Sequence, residues 1–408
     1  MITSFELFEA ADSKQNLHLT HVNEDLYERG DKGANSAVEF CVDFLTNVGT
    51  GSTKLTTKWD GAPAVFAGWD PADGKFFIGT KSVFNKNPKL YKTQEEIASG
   101  ERGGKAEKLK YALKYFAGIG IPKGTVLQGD LLWTEGDQKY ETIENKRWIT
   151  VHPNTIVYAW PAESDVGKDI RNAKIGVIWH TTYTGSGSLS NYSASFGVDI
   201  SKLKKSRDVW LDDAYFKGVD IAFTEQEYTQ AMAHVKAAKS LIGNFDKIVK
   251  VMNSIPTSAS GAGIKTFINS YIRQGKYPTP GKAYEEYIDY IKQYWEEKVV
   301  PTVKTDAGKE SKRVALRQLL EEIGSIKEIV KRSLEYVNEI TKAKLIIVSK
   351  INQLNKQKTF LKTKNGFEVT SPEGYVCVDS RKGEAVKFVD RLVFSHANFS
   401  DHILKGWQ

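Results

Sequence analysis

Cysteine is nearly missing from this sequence of 408 residues, in which Cys41 and Cys377 are the only two. Two cysteines are too few for a disulfide framework or a thiolate metal site, and such scarcity is typical of proteins in a reducing compartment. The seven histidines form no group with the spacing of a zinc site. We therefore expect a cytoplasmic protein without structural zinc.

Long apolar runs are missing too. No stretch approaches the roughly 18 apolar residues that a membrane-spanning helix needs. The first residues, MITSFELFEAADSK, include acidic side chains and lack a basic start followed by an apolar run, so they do not have the pattern of a secretion signal. We expect neither secretion nor membrane insertion.

The composition is that of a globular protein. Hydrophobic residues make up 40% of the chain and aromatic residues 11%, with charged residues interspersed among them. The length predicts two or three domains. The net charge of +7 is compatible with polyanionic partners, but on a chain this long it is only supporting evidence.

The secondary-structure pattern that the sequence predicts changes along the chain. The first fifty residues have helical spacing, with apolar positions at Val38, Phe40, Cys41, Phe44 and Leu45. From about residue 51 short β-rich runs follow one another, interrupted by one helical stretch, AEKLKYALKYFAG; the runs are KLTTKW, PAVFAGW, KFFIGTKSVF, TVLQGDLLW, TIVYAW and KIGVIWHTTY. This pattern predicts an α+β fold built on antiparallel sheets.

After about residue 220 the chain is almost wholly helical. Thr224 and Glu227 form a capping-box pattern, and the apolar spacing between Ser311 and Lys358 predicts two long helices or one kinked helix. A β-rich pattern returns at Phe367. We therefore predict an all-helical insertion, with these boundaries: 1–50 an N-terminal helical segment, 51–215 the first part of the main domain, 216–358 the insertion, and 359–408 the second part of the main domain.

Three stretches leave alternatives open. The run TKAKLIIVSKINQLNKQKTFLKTKNG carries seven lysines and no acid, and forms either a solvated face or a stripe that faces phosphates. The loop SIPTSASGAGIK is a plain connector, a hinge or an anion-binding turn. His18 and His21 are structural or helix-capping residues, or they contact a 5′-phosphate of a bound strand.

The stretch KLTTKWDGAPAV, residues 54–65, contains the most informative lysine. Strand alternation would put Lys58 on the face opposite Leu55. Lys58 is then either an ordinary solvated lysine or a nucleophile.

Five further segments follow Lys58-Trp59-Asp60-Gly61 in a fixed order. They are GTKS at 79–82, VLQGDLLW at 126–133, IGVIWHTTYTG at 175–185, PEGYVCVD at 372–379 and AVKFVDR at 385–391. The series resembles the collinear motifs of the covalent nucleotidyltransferase superfamily, which comprises polynucleotide ligases and mRNA capping enzymes. The resemblance implies a ligase-type nucleotidyltransferase domain.

The first motif of that superfamily supplies a lysine that attacks the α-phosphate of a nucleotide, and Lys58 matches it. The attacking amine must be neutral, and we expect nearby cations and partial burial to lower its pKa. Lys54, Lys81 and Lys387 are the candidate cations near Lys58. Asp60 would orient the amine or the ribose. Gly61 would let the backbone approach the nucleotide closely.

The later motifs imply the remaining site residues. Lys81 stands where an arginine commonly meets the ribose or an acceptor phosphate, and Asp130 replaces the customary glutamate that binds ribose or a metal-bound water. Trp179 is the candidate for stacking on the purine, with Tyr158 as its competitor. The remaining motif residues are Glu373, which would help hold a divalent metal, and Lys387, which would neutralise the phosphates. Val389 stands where a second lysine is usual.

The resemblance implies ATP as the nucleotide and Mg²⁺, or Mn²⁺, as the metal, because phosphates and carboxylates are hard ligands. Only about seventeen residues follow Arg391, too few for the β-barrel of DNA ligases and capping enzymes, so an RNA-ligase-like enzyme that joins RNA or DNA strand ends is expected. The alternatives are a DNA ligase, another nucleotidyltransferase, and an inactive nucleic-acid-binding or virion protein on the same fold.

A second resemblance concerns the origin of the chain. The stretches KWDGAPAVFAG, FNKNPK and HPNTIVYAWP are similar to stretches in uncharacterised tailed-bacteriophage proteins, over residues from about 18 to about 200. This implies a phage protein that acts in the host cytoplasm. It implies nothing further about activity.

Overall fold

The computed structural model describes residues 19–47, 53–216, 221–279, 281–355, 357–379 and 384–406. Its helices are α1 (Leu26–Asn47), α2 (Gln94–Gly100), α3 (Gly103–Phe116), α4 (Asp165–Asn172), α5 (Glu225–Leu241), α6 (Asp246–Ser254), α7 (Ile264–Arg273), α8 (Ala283–Tyr294), α9 (Asp306–Ser325), α10 (Lys327–Leu354) and α11 (His396–Phe399). Its strands are β1 (Thr53–Lys58), β2 (Ala64–Trp69), β3 (Phe76–Gly79), β4 (Thr125–Thr134), β5 (Lys139–Ile143), β6 (Lys146–Val151), β7 (Ile156–Pro161), β8 (Ile175–Thr184), β9 (Ser193–Phe196), β10 (Val209–Asp213), β11 (Lys358–Thr363), β12 (Gly366–Thr370), β13 (Gly374–Asp379) and β14 (Glu384–Phe388).

The strands form three sheets, so the predicted α+β class with antiparallel sheets is confirmed. The first has the order β1-β13-β14, the second β10-β8-β4-β2-β3 with β9 added beside β8, and the third β12-β11-β7-β6-β5. Every pair is antiparallel except β10 with β8. The main chain after β10 crosses to the first sheet, where Thr57 N donates to the carbonyl oxygen of Ala214 at 2.7 Å.

The helices and the first sheet share one apolar core. The side chains of α1, with Phe40, Cys41 and Phe44 buried as predicted, pack in the same cluster as the helices of the insertion. One face of the first sheet closes that core and contributes Leu55, Tyr375, Cys377, Val386 and Phe388. Residues 1–18 of the predicted N-terminal helical segment lie outside the described residues.

The helical block begins with the predicted capping box. The Thr224 hydroxyl accepts from Glu227 N at 3.2 Å, and the Glu227 carboxylate accepts from Thr224 N at 2.7 Å. The long apolar stretch forms two helices, because Ile326 between α9 and α10 has non-helical backbone angles (φ −116°, ψ 22°). The β structure returns at Lys358, earlier than Phe367.

One hairpin has no counterpart in the sequence-based prediction. Strands β5 and β6 pair through a two-residue turn at Glu144 and Asn145, whose φ angles are 52° and 58°. Two positive φ values are the geometry that matches the right-handed twist of a hairpin. Glu-Asn is not the usual Asn-Gly or Asp-Gly signature of such a turn, so the sequence carried no clear signal for it.

The loop SIPTSASGAGIK is a packed connector. It contains a short 3-10 helix, Thr257–Ala262, in which Ala259 and Ala262 are buried. The carbonyl oxygens of Gly261 and Ala262 accept from the hydroxyls of Tyr290 and Tyr287, at 2.9 and 3.0 Å. These contacts favour the plain connector among the alternatives.

Four of the seven lysines in the run bind other residues of the chain, which argues against a stripe that faces phosphates; Lys356 lies outside the described residues. Lys344 is fully buried and donates to Asn23 Oδ1 at 3.0 Å. Lys342, Lys350 and Lys362 make ion pairs with Glu339, Glu227 and Glu141. These three glutamates belong to other elements or to the preceding turn of α10, so the composition of the run itself gives no sign of them.

Within the described ranges, no helix is both long and apolar enough to cross a membrane.

Candidate active site

A cleft of about 630 Å³ lies between the first and second sheets. Its walls carry four lysines, one carboxylate and several aromatic rings. The lining residues are Leu19, Thr56, Thr57, Lys58, Trp59, Pro63, Ala64, Phe66, Thr80, Lys81, Lys105, Gln128, Asp130, Ile178, His180, Thr181, Tyr183, Phe196, Ala214, Val376 and Lys387. The cleft therefore brings together residues that are more than three hundred positions apart in the sequence.

Lys58 is the last residue of β1 and reaches into this cleft. Strand alternation sends Leu55 into the helical core, while Thr56 and Lys58 face the cleft, as predicted. The antiparallel register places Lys58 opposite Gly374 on β13. Glu373 therefore lies beside it, and Lys58 Nζ is 2.5 Å from Glu373 Oε1.

Two glycines allow this close packing. A Cβ atom on Gly374 would lie 2.7 Å from the carbonyl oxygen of Phe388, which is too close for a real contact. A Cβ atom on Gly61 would lie 2.6 Å from Asp130 Cβ. Gly61 was predicted to let the backbone approach the nucleotide closely. In the structure it lets the backbone approach β4.

Asp60 acts on the Lys58 amine through its charge, while its carboxylate oxygens are bound by other residues of the chain. Its buried carboxylate accepts from the side chain of Asn154 at 2.8 Å and from the backbone amides of Thr155 and Ile156 at 2.7 and 3.0 Å. Both oxygens are therefore committed to the start of β7. Asp60 anchors the turn after β1 to the third sheet and does not line the cleft.

The two aromatic candidates for purine stacking also lie outside the cleft. Trp179 is fully buried on the opposite face of β8, where its ring packs against Phe116 at 5.2 Å between centroids. Tyr158 is fully buried, and its hydroxyl accepts from Asp60 N at 2.6 Å. The ring of Tyr158 lies against Trp59, 4.6 Å between centroids, and Trp59 is the member of this pair that lines the cleft.

His180 faces the cleft where Trp179 had been expected. The β4–β8 pairing has a bulge at this point, since Gln128 is opposite Thr181 while Gly129 is opposite Trp179. A bulge leaves one residue unpaired and re-aims side chains. The unpaired residue is His180, whose Nε2 atom lies 3.7 Å from Asp130 Oδ2. No pattern in the sequence marks this irregularity.

Two of the three cations predicted near Lys58 line the cleft. Lys81 begins a short 3-10 helix, Lys81–Phe84, and lines the cleft. Lys387 on β14 is opposite Val376 and lines it as well. Lys105, at the start of α3, is a third lining cation that the sequence analysis did not single out. Lys54 does not line the cleft, and its ammonium lies 6.0 Å from the centre of the Tyr215 ring.

His21 lies behind Lys387. The segment from Thr20 to Val22 pairs with β14 through Lys387, whose backbone amide donates to the Thr20 carbonyl at 3.0 Å. Burial and the charges of Arg391, Lys344, Lys387 and Lys265 hold the pKa of His21 well below its usual value, so His21 is neutral. Its proposed contact with a 5′-phosphate stays a prediction, and His18 lies outside the described residues.

The acidic and basic groups of the cleft perturb one another. Burial raises the pKa of Glu373 to about 7; Lys58 opposes this shift, and Asp60 and Asp130 add to it. Burial likewise raises the pKa of Asp130 to about 7. Burial, with a smaller effect from Lys58, lowers the pKa of His180 to about 4, so this imidazole is neutral.

The pKa of Lys58 is shifted in the direction opposite to the one expected. Burial alone lowers the pKa of Lys58, but the ion pair with Glu373 and the charges of Asp130 and Asp60 outweigh it, and the pKa is raised. The prediction that neighbouring cations lower this pKa is therefore wrong for this arrangement. Instead, Lys387 has its own pKa lowered, by burial and then by the charge of Lys58.

The comparisons with known proteins identify a family. The model of the family of unknown function DUF6267 matches residues 16–402, which is nearly the whole chain.

The chain belongs to this family.

No curated protein and no solved structure matches the chain. The family description assigns no chemistry to DUF6267, so any functional argument rests on the cleft itself.

A divalent metal would find two hard ligands in this DUF6267 chain. Among the described residues, no three His, Cys, Asp or Glu side chains form a metal-binding group. Glu373 and Asp130 nevertheless contribute two half-buried carboxylates. Burial is the main cause of their raised pKa values, Asp130 adds to the shift of Glu373, and Lys58 offsets part of both shifts. Mg²⁺ is commonly bound by one or two carboxylates together with substrate phosphates. The donor set therefore fits Mg²⁺ when a phosphate ligand completes it.

The raised pKa of Asp130 predicts a pH-dependent stability. Between about pH 4 and pH 7 the folded chain binds a proton at Asp130 that the unfolded chain has released, so this group's contribution to stability falls as the pH rises. Asp130→Asn removes that dependence. We expect the variant to have about wild-type stability at pH 4 and to exceed wild type by on the order of 2 kcal/mol at pH 8, measured by urea unfolding. A stability difference independent of pH would contradict the prediction.

Proposed function

We propose that the protein is an ATP-dependent nucleotidyltransferase that acts through a lysyl-AMP intermediate and joins a 5′-phosphate to a 3′-hydroxyl. The observation that carries the proposal is the position of the Lys58 amine, which lies inside a cleft and 2.5 Å from Glu373. Lysines that form covalent intermediates are held in such partly desolvated sites.

Convergence of distant segments supports the proposal. Lys58, Lys81, Asp130 and Lys387 come from four of the collinear motifs and line one cleft, and Glu373 from a fifth contacts Lys58. An ordinary solvated lysine has no reason to be surrounded in this way. The ligase-type fold is proposed on the same grounds, since two sheets, antiparallel except for the pair β10–β8, flank the cleft and carry the motif residues on or next to their strands.

The first step forms the adduct. In the resting state Lys58 is an ammonium paired with Glu373. Transfer of its proton to Glu373 Oε1 frees the amine, and the raised pKa of Glu373 makes this carboxylate a better acceptor than an ordinary glutamate. The Lys58 nitrogen then attacks the α-phosphorus of ATP. An N–P bond forms, the bond from the α-phosphorus to the oxygen that bridges to the β-phosphate breaks, and pyrophosphate leaves with the second proton that the nitrogen loses.

The next two steps transfer AMP and join the ends. An oxygen of a strand's 5′-phosphate attacks the α-phosphorus, the nitrogen takes back the proton held by Glu373, the N–P bond breaks, and Lys58 leaves as a neutral amine. A second proton, from water, restores the ammonium. A 3′-hydroxyl then attacks the 5′-phosphorus and releases AMP. Positioning and charge stabilisation dominate such in-line transfers.

The remaining cleft residues assist by charge and position. A divalent metal, if bound, supplies Lewis-acid stabilisation of phosphate oxygens. Glu373 and Asp130 would hold it. Lys387 and Lys81 line the cleft from opposite walls and balance negative charge on the phosphates. His180 and Asp130 are placed to meet a sugar hydroxyl, because their facing atoms are 3.7 Å apart and leave both free to hydrogen-bond a third group.

The finer features are part of the same proposal. An RNA-ligase-like enzyme is proposed because the large helical block is of the kind that RNA ligases use as accessory domains, and RNA or DNA strand ends are the proposed partners. The phage origin and the location in a host cytoplasm stay predictions.

The test is direct labelling. Purified protein incubated with α-labelled ATP and Mg²⁺ is expected to retain label after denaturation, and the label should be lost on treatment with acid, which hydrolyses an N–P bond. Chelation of the metal before ATP is added should prevent labelling. Added pyrophosphate should strip the label and regenerate ATP.

Absence of label with ATP, GTP and NAD, with either Mg²⁺ or Mn²⁺, would contradict the proposal. That result, together with retained affinity for a nucleic acid, would identify a binding protein on this fold. Label from ATP without end joining of 5′-phosphate and 3′-hydroxyl strands would indicate a nucleotidyltransferase with another acceptor.

A further inference from the structure

A second cationic surface lies where α3 ends and where the chain approaches β10. Two loops meet there, because Lys204 N donates to the carbonyl oxygen of Ile119 at 2.8 Å. The stem of Lys204 also covers Gly120, where a Cβ atom would lie 3.2 Å from it. We call this surface the basic patch; it comprises Tyr111, Lys114, Tyr115, Lys123, Lys204, Lys205 and Arg207.

The cations of the basic patch are largely uncompensated. Lys204, Lys205 and Arg207 are exposed and make no ion pair with any residue in the described part of the chain. The acid that precedes them, Asp199, is engaged by Lys202 and by the Ser201 hydroxyl. Elsewhere on the surface lysines commonly pair with acids, as Lys350 does with Glu227.

Aromatic rings accompany these cations. Tyr111 and Tyr115 are half-buried on successive turns of α3, and their rings stack with centroids 6.0 Å apart. The ammonium of Lys114 lies 4.9 Å from the centre of the Tyr115 ring. Cations interleaved with aromatic faces are the combination that binds single-stranded nucleic acid, where the backbone meets the charges and bases stack on the rings.

The position of the patch connects it with the cleft. Strand β10 is the edge strand of the second sheet and begins directly after Asp208. It leads to Ala214, which lines the cleft. Six residues of extended chain span about 20 Å. A nucleic-acid strand whose end occupies the cleft can therefore reach the basic patch along the β10 edge of the sheet.

We propose that the basic patch binds a single-stranded segment of the nucleic acid whose end is held in the cleft. This inference rests on the proposed function for the identity of the end, but the binding itself requires no catalysis. The patch supplies affinity through the phosphate backbone and is indifferent to sequence.

The test compares two triple variants in binding of fluorescent single-stranded oligonucleotides, as RNA and as DNA, over a series of salt concentrations. The first variant carries Lys204→Ala, Lys205→Ala and Arg207→Ala. The second carries Lys236→Ala, Lys247→Ala and Lys250→Ala, which removes the same charge from exposed positions on α5 and α6. The patch variant is expected to bind roughly tenfold or more weakly at low salt, with a slope of log K against log salt shallower by about 2.

The control variant is expected to bind like wild type, and both variants should form the lysyl-AMP adduct as wild type does. Unchanged affinity and slope in the patch variant would overturn the proposal, as would equal weakening in both variants. Failure of the wild-type protein to form an adduct would contradict the proposed function. The binding measurement would still decide whether the basic patch binds nucleic acid.

Discussion

Replacing Lys58 by alanine is expected to abolish the transfer of label from α-labelled ATP to the protein, by at least a factor of about 10⁴, because Lys58 is the amine that pairs with Glu373 among the described residues that line the cleft. The measurement is label retained on the denatured polypeptide. The loss should be chemical in origin, so binding of ATP without reaction should change much less than labelling does.

Two further variants test whether the loss of labelling in Lys58→Ala comes from the missing nucleophile, from the missing charge or from misfolding. Lys58→Arg keeps a cation that can pair with Glu373 but cannot lose its proton, so it is expected to fold like wild type and take up no label. Lys54→Ala removes a lysine from the same face of the same strand, outside the cleft, and should be labelled normally. Undiminished labelling of Lys58→Arg would refute the assignment of the nucleophile.

Local patterns predicted the elements of this fold well. The alternation around Lys58, the capping box at Thr224 and the apolar spacing of α1 depend on neighbours within a few residues, and each appears as predicted. The β5–β6 hairpin was missed because its turn uses Glu144 and Asn145 at positive φ. Turn type there is decided by the pairing of the flanking strands.

The site was predicted less completely, for reasons that lie in tertiary structure. Motif order indicated Lys58, Lys81, Asp130, Glu373 and Lys387, and the structure brings these residues together. The direction of a side chain across a bulge cannot be read from sequence, which is why Trp179 was chosen in place of His180.

The same limit applies to charge. The match to the first motif implied that Asp60 orients the Lys58 amine or the ribose, but its hydrogen-bond partners are Asn154 and the amides of Thr155 and Ile156, nearly a hundred residues away. The pKa of Lys58 was expected to fall because of partial burial and of the neighbouring cations Lys54, Lys81 and Lys387. The nearest charge in space is the carboxylate of Glu373, which raises it.

Replacing Glu373 or Lys387 by alanine is expected to slow adduct formation by about 10² to 10³, since each removes charge stabilisation worth roughly 3 to 4 kcal/mol at the transition state. Single-turnover labelling with saturating ATP measures the rate directly. Glu368→Ala and Lys364→Ala, which alter exposed residues of β12 and of the turn before it, are the matched controls and should react at the wild-type rate.

The two variants should differ in their dependence on pH. Without Glu373 the main influence that raises the pKa of Lys58 is gone, while burial and the charge of Lys387 remain, so the residual rate of Glu373→Ala should reach its plateau at a lower pH than that of wild type. Lys387→Ala removes a cation near Lys58 and should shift the plateau to higher pH. Near-normal rates in both variants, or identical shifts in both, would mean that adduct formation does not depend on Glu373 and Lys387, and would contradict the roles assigned to these two residues.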